Sequence, residues 1–292
     1  MFTGTFTALV TPFRNGRVDE AAFERLIRGQ VKAGVDGIVP VGTTGESPTL
    51  DYDEHIRVIE LAVKFSAGRL PVIAGTGGNS TREAIFLTQR AQAVGADATL
   101  QVAPYYNKPT QEGLYQHFKA VAAGSRLPVM LYSIPGRCGV EIATDTVVRL
   151  ATDCPTVIAL KEAGGSCDRV SQLRGLLPRQ FSILCGDDSL TLPFLSVGAN
   201  GVVSVASNVA PRQVAAMVNR FLQGDPKGAR QLHGKLYSLF RNLFVETNPA
   251  PVKAALALLG QMDDELRLPM VRVSESTRAL LRQTLKDVGL LK

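Results

Sequence analysis

The sequence predicts a (β/α)8 TIM barrel followed by a C-terminal helical extension. Within about 220 residues, a short β-branched run, a turn rich in Gly, Thr or Pro and an amphipathic helix follow one another eight times. After the turn at residues 224–226 the strand-like runs stop, and only helical patterns continue. We therefore expect a barrel over residues 1–224. Residues 225–292 are expected to be helices packed on that barrel, because this segment is too small to fold independently.

The eight predicted strands have the apolar, β-branched composition of strands that are buried on both faces. They span residues 5–10, 37–41, 71–74, 98–102, 128–132, 156–160, 181–185 and 201–205. The helices of the barrel are predicted to begin near residues 19, 51, 80, 110, 144, 189 and 211, and Ser80-x-x-Glu83 has the pattern of a capping box. In the extension, helices are predicted over residues 228–244, 251–259 and 274–288.

A doubly wound open sheet is the main alternative to the barrel, because it too alternates strands and helices. Such a sheet places a Gly-rich dinucleotide fingerprint after its first strand, whereas the turn here is Thr11-Pro12-Phe13-Arg14-Asn15-Gly16. The Gly75-Thr76-Gly77-Gly78 stretch lacks the G-x-G-x-x-G spacing, and the chain has no G-x-x-x-x-G-K-[ST] motif. The sequence therefore favours the barrel, and it predicts no nucleotide or other cofactor.

The composition is typical of a globular protein, with 45% hydrophobic and 20% charged residues. The net charge of +6 comes from scattered Lys and Arg residues, so nucleic-acid binding is not expected. No apolar run approaches ~18–20 residues, which argues against a membrane span. Residues 1–10 lack the basic and apolar regions of a signal peptide, so we expect a cytoplasmic protein.

The cysteines and histidines show no spacing typical of a metal site. The four cysteines, at positions 138, 154, 167 and 185, form no C-x-x-C pair and have no histidine nearby in the sequence. We expect free thiols and no bound metal. His55, His117 and His233 each follow helix-like polar residues, and surface or boundary positions are predicted for all three.

Lys161 ends a buried apolar run and is followed by Glu162 and small residues. A buried lysine is costly, because a low dielectric disfavours its ammonium form. The neutral amine can attack a carbonyl to form a Schiff base, which would give such a lysine a catalytic role. Alternatively, the side chain reaches solvent or pairs with Glu162. The barrel prediction places Lys161 at the C-terminal end of a strand, where active sites lie, and both alternatives stay open at this point.

Polar groups also follow other predicted strands. Tyr132 ends the fifth strand and Arg137 follows in a loop stiffened by Pro and Gly, so the pair could provide an acid/base and an anion clamp. Thr43 and Thr44 lie in the Gly-flanked turn after the second strand, whose hydroxyl and N–H groups could bind a small carboxylate. An ordinary helix-capping turn is the alternative there, as it is for the paired acids after the seventh strand.

Four motifs occur in the order found in a known family: Gly42-Thr43-Thr44-Gly45-Glu46, Pro104-Tyr105-Tyr106-Asn107, Tyr132-x-x-Pro135-x-Arg137-x-Gly139 and Lys161-Glu162-Ala163. Over essentially the whole chain, the sequence resembles the 4-hydroxy-tetrahydrodipicolinate synthase (dihydrodipicolinate synthase) family of the pyruvate-dependent class I aldolase and N-acetylneuraminate lyase superfamily. The resemblance implies a lyase without metal or cofactor. It would condense pyruvate with L-aspartate-4-semialdehyde through a Schiff base, in the first committed step of lysine biosynthesis through diaminopimelate.

The resemblance also implies roles for individual residues. Lys161 forms the Schiff base with pyruvate, and Tyr132 donates and accepts protons. Thr43 and Tyr106 complete a proton relay, with Tyr106 reaching in from the neighbouring subunit of a tight dimer. Thr43 and Thr44 are implied to bind the pyruvate carboxylate. Arg137 is implied to bind the carboxylate of the semialdehyde. Gly186 and Val203 are implied to line the pocket.

The same resemblance implies a cytoplasmic homotetramer made of two tight dimers, with feedback inhibition by L-lysine at the dimer interface. The residues at the matching inhibitor positions are Ser47, Pro48, Tyr52, His55, Asn79, Glu83 and Tyr105. His55 and Glu83 match the lysine-sensitive pattern. Pro48 and Tyr52 differ from the small residue and the histidine of strongly inhibited members.

Two other functions are compatible with parts of the sequence. N-acetylneuraminate lyases and keto-sugar-acid aldolases of the same superfamily share the lysine and the tyrosine but act on longer polyhydroxy substrates. Arg137 and the second threonine, Thr44, favour the short semialdehyde. A non-catalytic barrel that binds pyruvate or a related keto acid is the other alternative, which the presence of every implied catalytic residue disfavours.

Overall fold

The predicted strands form one parallel sheet that closes on itself. A computed structural model describes residues 1–292. Its strands are β1 Gly4–Ala8, β2 Phe13–Arg14, β3 Arg17–Val18, β4 Gly37–Val39, β5 Ile73–Gly75, β6 Ala98–Val102, β7 Val129–Ser133, β8 Val157–Glu162, β9 Ser182–Cys185 and β10 Gly201–Ser204. The large sheet has the order β4-β1-β10-β9-β8-β7-β6-β5. A parallel bridge between Ile38 and Val72 joins its two edges and completes a barrel.

Helices surround the barrel and continue beyond it. They are α1 Glu20–Ala33, α2 Tyr52–Ser66, α3 Thr81–Ala93, α4 Gln111–Ala123, α5 Pro135–Cys138, α6 Thr144–Asp153, α7 Cys167–Leu176, α8 Thr191–Ser196, α9 Pro211–Leu222, α10 Pro226–Asn242, α11 Ala250–Leu258 and α12 Glu275–Asp287. Each helix is too short or too polar to cross a membrane. Asp19, Asp51 and Thr110 cap α1, α2 and α4 through their side chains, as their positions in the sequence suggest.

The predicted capping box at the start of α3 does not form. Ser80 is the N-cap residue, but its side chain accepts no backbone hydrogen bond from the helix. Glu83 instead lies beside Tyr52, where its negative charge raises the pKa of the Tyr52 hydroxyl. The side chain that should complete the box is therefore engaged with another helix, α2.

The hairpin β2–β3, the short helix α5 and helix α7 were not predicted from the sequence, which indicated a loop where α5 lies. The hairpin β2–β3 turns at Asn15 and Gly16, whose φ angles of 54° and 76° are those of a type I′ turn. The Asn-Gly pair was the pattern that could have identified it. Helix α7 has a weak amphipathic pattern, because Val170 and Leu173 are its only buried apolar residues and Arg169 shares their buried face.

The larger of two apolar core clusters extends from the barrel strands into the C-terminal helices. It includes Leu160 and Val203 from barrel strands together with Leu239 and Leu281 from α10 and α12. Helix α10 packs against α9 and α12, and α11 packs against α12. The C-terminal helices thus bury apolar surface in the same core as the strands, which stabilises both. The placement of a boundary at residue 224 stays a prediction.

Two of the three histidines are buried, which corrects the prediction of surface or boundary positions. His55 is 5% exposed and its Nε2 lies 2.7 Å from the Gly75 carbonyl oxygen. His117 is 6% exposed and its Nδ1 lies 2.9 Å from Thr81 Oγ1. Burial lowers the pKa of both, that of His117 to about 4. Their partners come from other elements, so the polar residues next to them in the sequence were a poor guide. His233 lies at the boundary.

Candidate active site

A cavity of ≈ 190 Å³ opens at the C-terminal ends of neighbouring barrel strands. Its walls come from the turn after β4, from the end of β5 and the residues that follow it, and from the ends of β6 and β7. Among the residues predicted to have a function, those that line it are Thr43, Ser47, Pro48, Tyr105, Tyr132 and Arg137. The fold therefore brings three residues with predicted catalytic or substrate-binding roles, Thr43, Tyr132 and Arg137, into one cavity.

Lys161 and Tyr132 stand side by side at this end of the barrel. They are register partners on the parallel strands β8 and β7. The Lys161 Nζ lies 4.2 Å from the centroid of the Tyr132 ring, and the two residues are 6% and 4% exposed. A buried amine is thus held against a phenol that can donate or accept a proton, which is the pairing that Schiff-base chemistry requires.

Glu162 does not pair with Lys161, although it follows directly in the sequence. Its fully buried carboxylate accepts from Arg169 Nε at 2.8 Å and from the Gly164 N–H at 2.6 Å. Arg169 also donates to the Ile142 carbonyl. Burial raises the pKa of Glu162, and the arginine opposes that shift. Because Glu162 has its own partner, the sequence alternative of a Lys161–Glu162 ion pair is wrong.

The turn after β4 presents free backbone donors to the cavity region. The N–H groups of Thr43 and Thr44 donate to no protein acceptor, whereas those of Gly45 and Glu46 bond to Gly42 and Thr43 within the turn. The Thr44 hydroxyl accepts from Asn248 Nδ2 at 3.0 Å. Two adjacent unpaired N–H groups can bind a carboxylate, as the sequence pattern suggested.

Arg137 and the two tyrosines of the β6–α4 loop lie at different positions around the cavity. Arg137 is exposed on the short helix α5, lines the cavity and donates from Nη2 to the Asn248 carbonyl at 3.3 Å. Tyr105 lines the cavity and is 37% exposed. Tyr106 is 90% exposed with a φ of 72° and does not line the cavity of its own chain. Such an exposed aromatic ring is typical of an interface.

Gly186 and Val203 lie outside the cavity wall. Gly186 donates its N–H to the Glu162 carbonyl at 2.8 Å, and a Cβ at this position would lie 2.6 Å from Ala163 Cβ. Val203 is fully buried on β10. Gly186 follows β9, which pairs with the Lys161 strand β8, whereas Val203 lies on β10, one strand farther from Lys161.

The paired acids after β9 are structural in different ways. Asp187 caps the following turn by accepting from the Ser189 N–H at 2.9 Å, as the sequence suggested. Asp188 is 2% exposed and accepts from Ser204 Oγ at 2.5 Å and from the Val205 N–H at 3.0 Å. Burial raises the pKa of Asp188 to about 6. Asp188 thus ties the end of β9 to that of β10.

Several of the predicted inhibitor positions contact one another. Asn79 Nδ2 donates to the Tyr105 carbonyl at 3.2 Å. Tyr52 lies beside Glu83, and its ring centroid is 5.7 Å from that of Phe86. The remaining positions are Ser47 and Pro48, which line the cavity, and His55, which bonds to the carbonyl of a cavity residue, Gly75.

Three residues near the site were not identified from the sequence. Arg169 engages Glu162, Asn248 bonds to Thr44, and Lys253 forms a buried ion pair with Glu46. Asn248 and Lys253 lie more than 200 positions from their partners. No local pattern connects residues that far apart, so only a prediction of how the C-terminal helices dock could have found them.

Comparison with known proteins places the chain in a family. The pattern of the Dihydrodipicolinate synthetase family matches residues 1–288. The chain belongs to the dihydrodipicolinate synthetase family. One curated relative, the 4-hydroxy-tetrahydrodipicolinate synthase of Aquifex aeolicus, is 51% identical over 290 residues, which cover 99% of each chain. The family predicted from the motifs is therefore confirmed.

Solved structures of the family have the same fold. The 4-hydroxy-tetrahydrodipicolinate synthase of Methylacidiphilum fumariolicum SolV is 56% identical, with a TM-score of 0.97, 99% of this chain covered and 96% of that one. The dihydrodipicolinate synthase of Acinetobacter baumannii in complex with pyruvate is 43% identical, with a TM-score of 0.97 and both chains fully covered. That of Cyanidioschyzon merolae with lysine bound is also 43% identical, with the same TM-score and 99% of both chains covered. The (β/α)8 prediction is confirmed.

Proposed function

We propose that this chain condenses pyruvate with L-aspartate-4-semialdehyde to give 4-hydroxy-tetrahydrodipicolinate, in lysine biosynthesis through diaminopimelate. The observation that supports this most directly is the buried amine of Lys161, 4.2 Å from the Tyr132 ring, at the catalytic end of a barrel of this family. The relatives named above have this activity in their names, and one of them is described in complex with pyruvate.

The reaction follows from the chemistry of the amine. Lys161 attacks the ketone carbon of pyruvate, and loss of water from the carbinolamine gives an imine. Removal of a methyl proton gives an enamine, whose carbon attacks the aldehyde of the semialdehyde and leaves a hydroxyl group there. The amino group of the second substrate then attacks the imine carbon and displaces Lys161. The ring closes, the lysine is regenerated, and one water has been released.

The residues that surround the amine have complementary roles in this proposal. Tyr132 transfers protons to and from the carbinolamine oxygen, and Thr43 and a partner-subunit tyrosine at position 106 connect it to solvent. The free N–H groups of Thr43 and Thr44 bind the pyruvate carboxylate. Arg137 binds the carboxylate of the semialdehyde. Gly186, which follows β9, and Val203, on β10, contact bound substrate on the Lys161 side of the barrel.

An N-acetylneuraminate lyase or keto-sugar-acid aldolase is the second candidate within the superfamily. Arg137 lines the cavity and argues against it, because a guanidinium suits a second carboxylate better than a polyhydroxy chain. Assays of pyruvate with L-aspartate-4-semialdehyde and, separately, with N-acetylmannosamine distinguish the two candidates. Faster consumption of pyruvate with the amino sugar would reject the proposed substrate.

Trapping of the imine tests the mechanism. Borohydride reduction in the presence of pyruvate should add one reduced pyruvate to the chain, and peptide mapping should locate it at Lys161. Incubation with borohydride alone is the control. An intact, folded protein that gains no mass at saturating pyruvate would contradict the Schiff-base mechanism and leave a non-catalytic keto-acid binder as the better interpretation.

Arg137→Ala tests the assignment of the second carboxylate. We expect the KM for the semialdehyde to rise about tenfold to a hundredfold, because a charge-assisted contact is lost. The pyruvate concentration that gives half-maximal trapping should change much less. Arg126→Ala, which removes another exposed arginine, is the control. An equal rise for both substrates would contradict the role given to Arg137.

We also propose a homotetramer of two tight dimers, located in the cytoplasm. Three exposed aromatic side chains support a subunit interface that would cover them. Tyr52, Phe86 and Tyr106 are 51%, 43% and 90% exposed in the single chain. In the dimer, Tyr106 of one subunit would complete the site of the other. Sedimentation velocity of the purified protein should give four chains per particle, and a fully active monomer would contradict the shared site.

L-lysine is proposed as a feedback inhibitor that binds at the same interface. The lysine-bound relative from Cyanidioschyzon merolae supports this, as do Glu83 and His55 at the matching positions. Pro48 and Tyr52 depart from the pattern of strongly inhibited members, so we expect weak inhibition. Initial rates at sub-saturating pyruvate, with and without saturating lysine, test it. An unchanged rate would reject the proposal.

A further inference from the structure

The carboxylate-binding turn, residues 41–46, has a strained backbone at both ends. Val41 has a φ of 50° and Glu46 a φ of 54°, in the left-handed region that side chains with a Cβ rarely adopt. For the β-branched Val41 this is unusual. Between them, Gly45 lies so close to Val41 that a Cβ would be 2.8 Å from the Val41 nitrogen. Strained segments of this kind persist only when their surroundings hold them in place.

Most of the side-chain contacts that hold the turn come from the C-terminal segment. From the barrel, Thr11 Oγ1 donates to the Gly45 carbonyl at 2.7 Å. From the C-terminal segment, Asn248 Nδ2 donates to Thr44 Oγ1 at 3.0 Å, and Lys253 Nζ lies 2.5 Å from Glu46 Oε1. The Arg267 N–H donates to the other Glu46 oxygen at 3.2 Å. Helix α11 and its flanking loops therefore anchor the turn at Thr44, in its middle, and at Glu46, at its end.

The Lys253–Glu46 pair is fully enclosed. The two side chains are 0% and 2% exposed. The Lys253 Nζ lies 4.3 Å from the Phe13 ring centroid, and Arg267 contacts the same ring at 4.4 Å. Arg267 in turn binds both carboxylate oxygens of Glu54 on α2. A buried ion pair of this kind holds Glu46 and Lys253 together, because separating them would leave each charge buried without a partner.

Asn248 connects the groups proposed to bind the two substrates. It is 5% exposed; its side chain donates to Thr44, and its carbonyl accepts from Arg137 Nη2 at 3.3 Å. Its own Oδ1 is buried and has no partner. Asn248 alone thus contacts both the turn proposed to bind pyruvate and the arginine proposed to bind the semialdehyde.

We propose that Asn248 and Lys253 are positioning residues that hold the carboxylate-binding turn in its strained conformation. Asn248 acts through the Thr44 hydroxyl, and Lys253 acts through Glu46. In this arrangement the adjacent N–H groups of Thr43 and Thr44 stay free and aligned for the pyruvate carboxylate. The inference rests on the proposed function, because it assumes that pyruvate binds to this turn.

Asn248→Ala tests the inference through the affinity of the site for pyruvate. We expect the pyruvate concentration that gives half-maximal borohydride trapping to rise about fivefold to tenfold, as for loss of one hydrogen bond. The turnover number at saturating pyruvate should fall much less, because Lys161 and Tyr132 are untouched. Asn242→Ala is a matched control, since Asn242 Nδ2 donates to Thr284 Oγ1 at 2.7 Å elsewhere in the C-terminal segment.

A second variant separates positioning from general loss of structure. Thr44→Val removes the hydroxyl that accepts from Asn248 but keeps the backbone N–H. It should raise the half-maximal pyruvate concentration as much as Asn248→Ala does, and the double variant should raise it no further. Additive effects, an unchanged concentration in Asn248→Ala, or an equal rise in Asn242→Ala would overturn the inference. Failure of the unmodified protein to trap pyruvate would instead contradict the proposed function.

Discussion

Replacing Lys161 by alanine should lower kcat by at least about a thousandfold and abolish trapping of pyruvate, while the protein stays folded. The other buried lysine, Lys253, is paired with Glu46 and should not replace Lys161 as the nucleophile. The fold should tolerate the change. Glu162 keeps its bond to Arg169, so no ion pair is lost.

Steady-state kinetics and mass spectrometry after borohydride reduction measure the two effects, and circular dichroism checks the fold. Lys64→Ala, which removes an exposed lysine on α2, is the control and should trap pyruvate normally. A folded Lys161→Ala protein that still gains one reduced pyruvate would place the imine on another lysine. The proposed role of Lys161 would then be wrong.

Replacing Lys253 by methionine should lower the free energy of unfolding by about 3–5 kcal/mol. Methionine fills much of the lysine volume, but the Glu46 carboxylate, 2% exposed, then keeps only the Arg267 N–H as a donor. The loss of a partner for a buried charge is what makes this change costly, since the pair itself contributes far less than its removal costs. Urea unfolding of the variant and the unmodified protein measures the difference.

The double variant Glu46→Gln, Lys253→Met should recover most of that stability, because glutamine is neutral and can still accept from the Arg267 N–H. As a control, Arg28→Met breaks the exposed pair with Glu24 and should cost no more than about 1 kcal/mol. If Lys253→Met cost no more than Arg28→Met, Lys253 and Glu46 would not form an enclosed ion pair in solution.

The residues at the strand ends could be predicted from the sequence. Lys161 and Tyr132 end apolar runs, and parallel strands bring their C-terminal ends to one side of a barrel. Counting strands therefore placed the two residues next to each other before any distance was known, and the structure has them in register on β8 and β7. Thr43 and Arg137 line the cavity together with Tyr132 for the same reason.

The supporting residues could not be predicted, because their contacts depend on tertiary docking. Asn248 lies in the loop before α11, and Lys253 lies in α11 among apolar residues, where no sequence pattern indicates its partner Glu46. The burial of His55 likewise depends on the Gly75 carbonyl of a neighbouring strand. Helix α7 was missed because its buried face includes Arg169, whose guanidinium neutralises Glu162, and periodicity alone counts an arginine as exposed.

Because the C-terminal segment anchors residues 41–46, the strands of the barrel are synthesised before the residues that hold this turn. During synthesis, all eight barrel strands have been made once Ser204 has been added, whereas Asn248, Lys253 and Arg267 are added later. A nascent chain at the earlier stage has every strand-end residue of the site but lacks the groups that hold its strained turn. On the proposed function, full affinity for pyruvate therefore requires the part of the chain that is made last, because that part supplies the contacts that hold the turn.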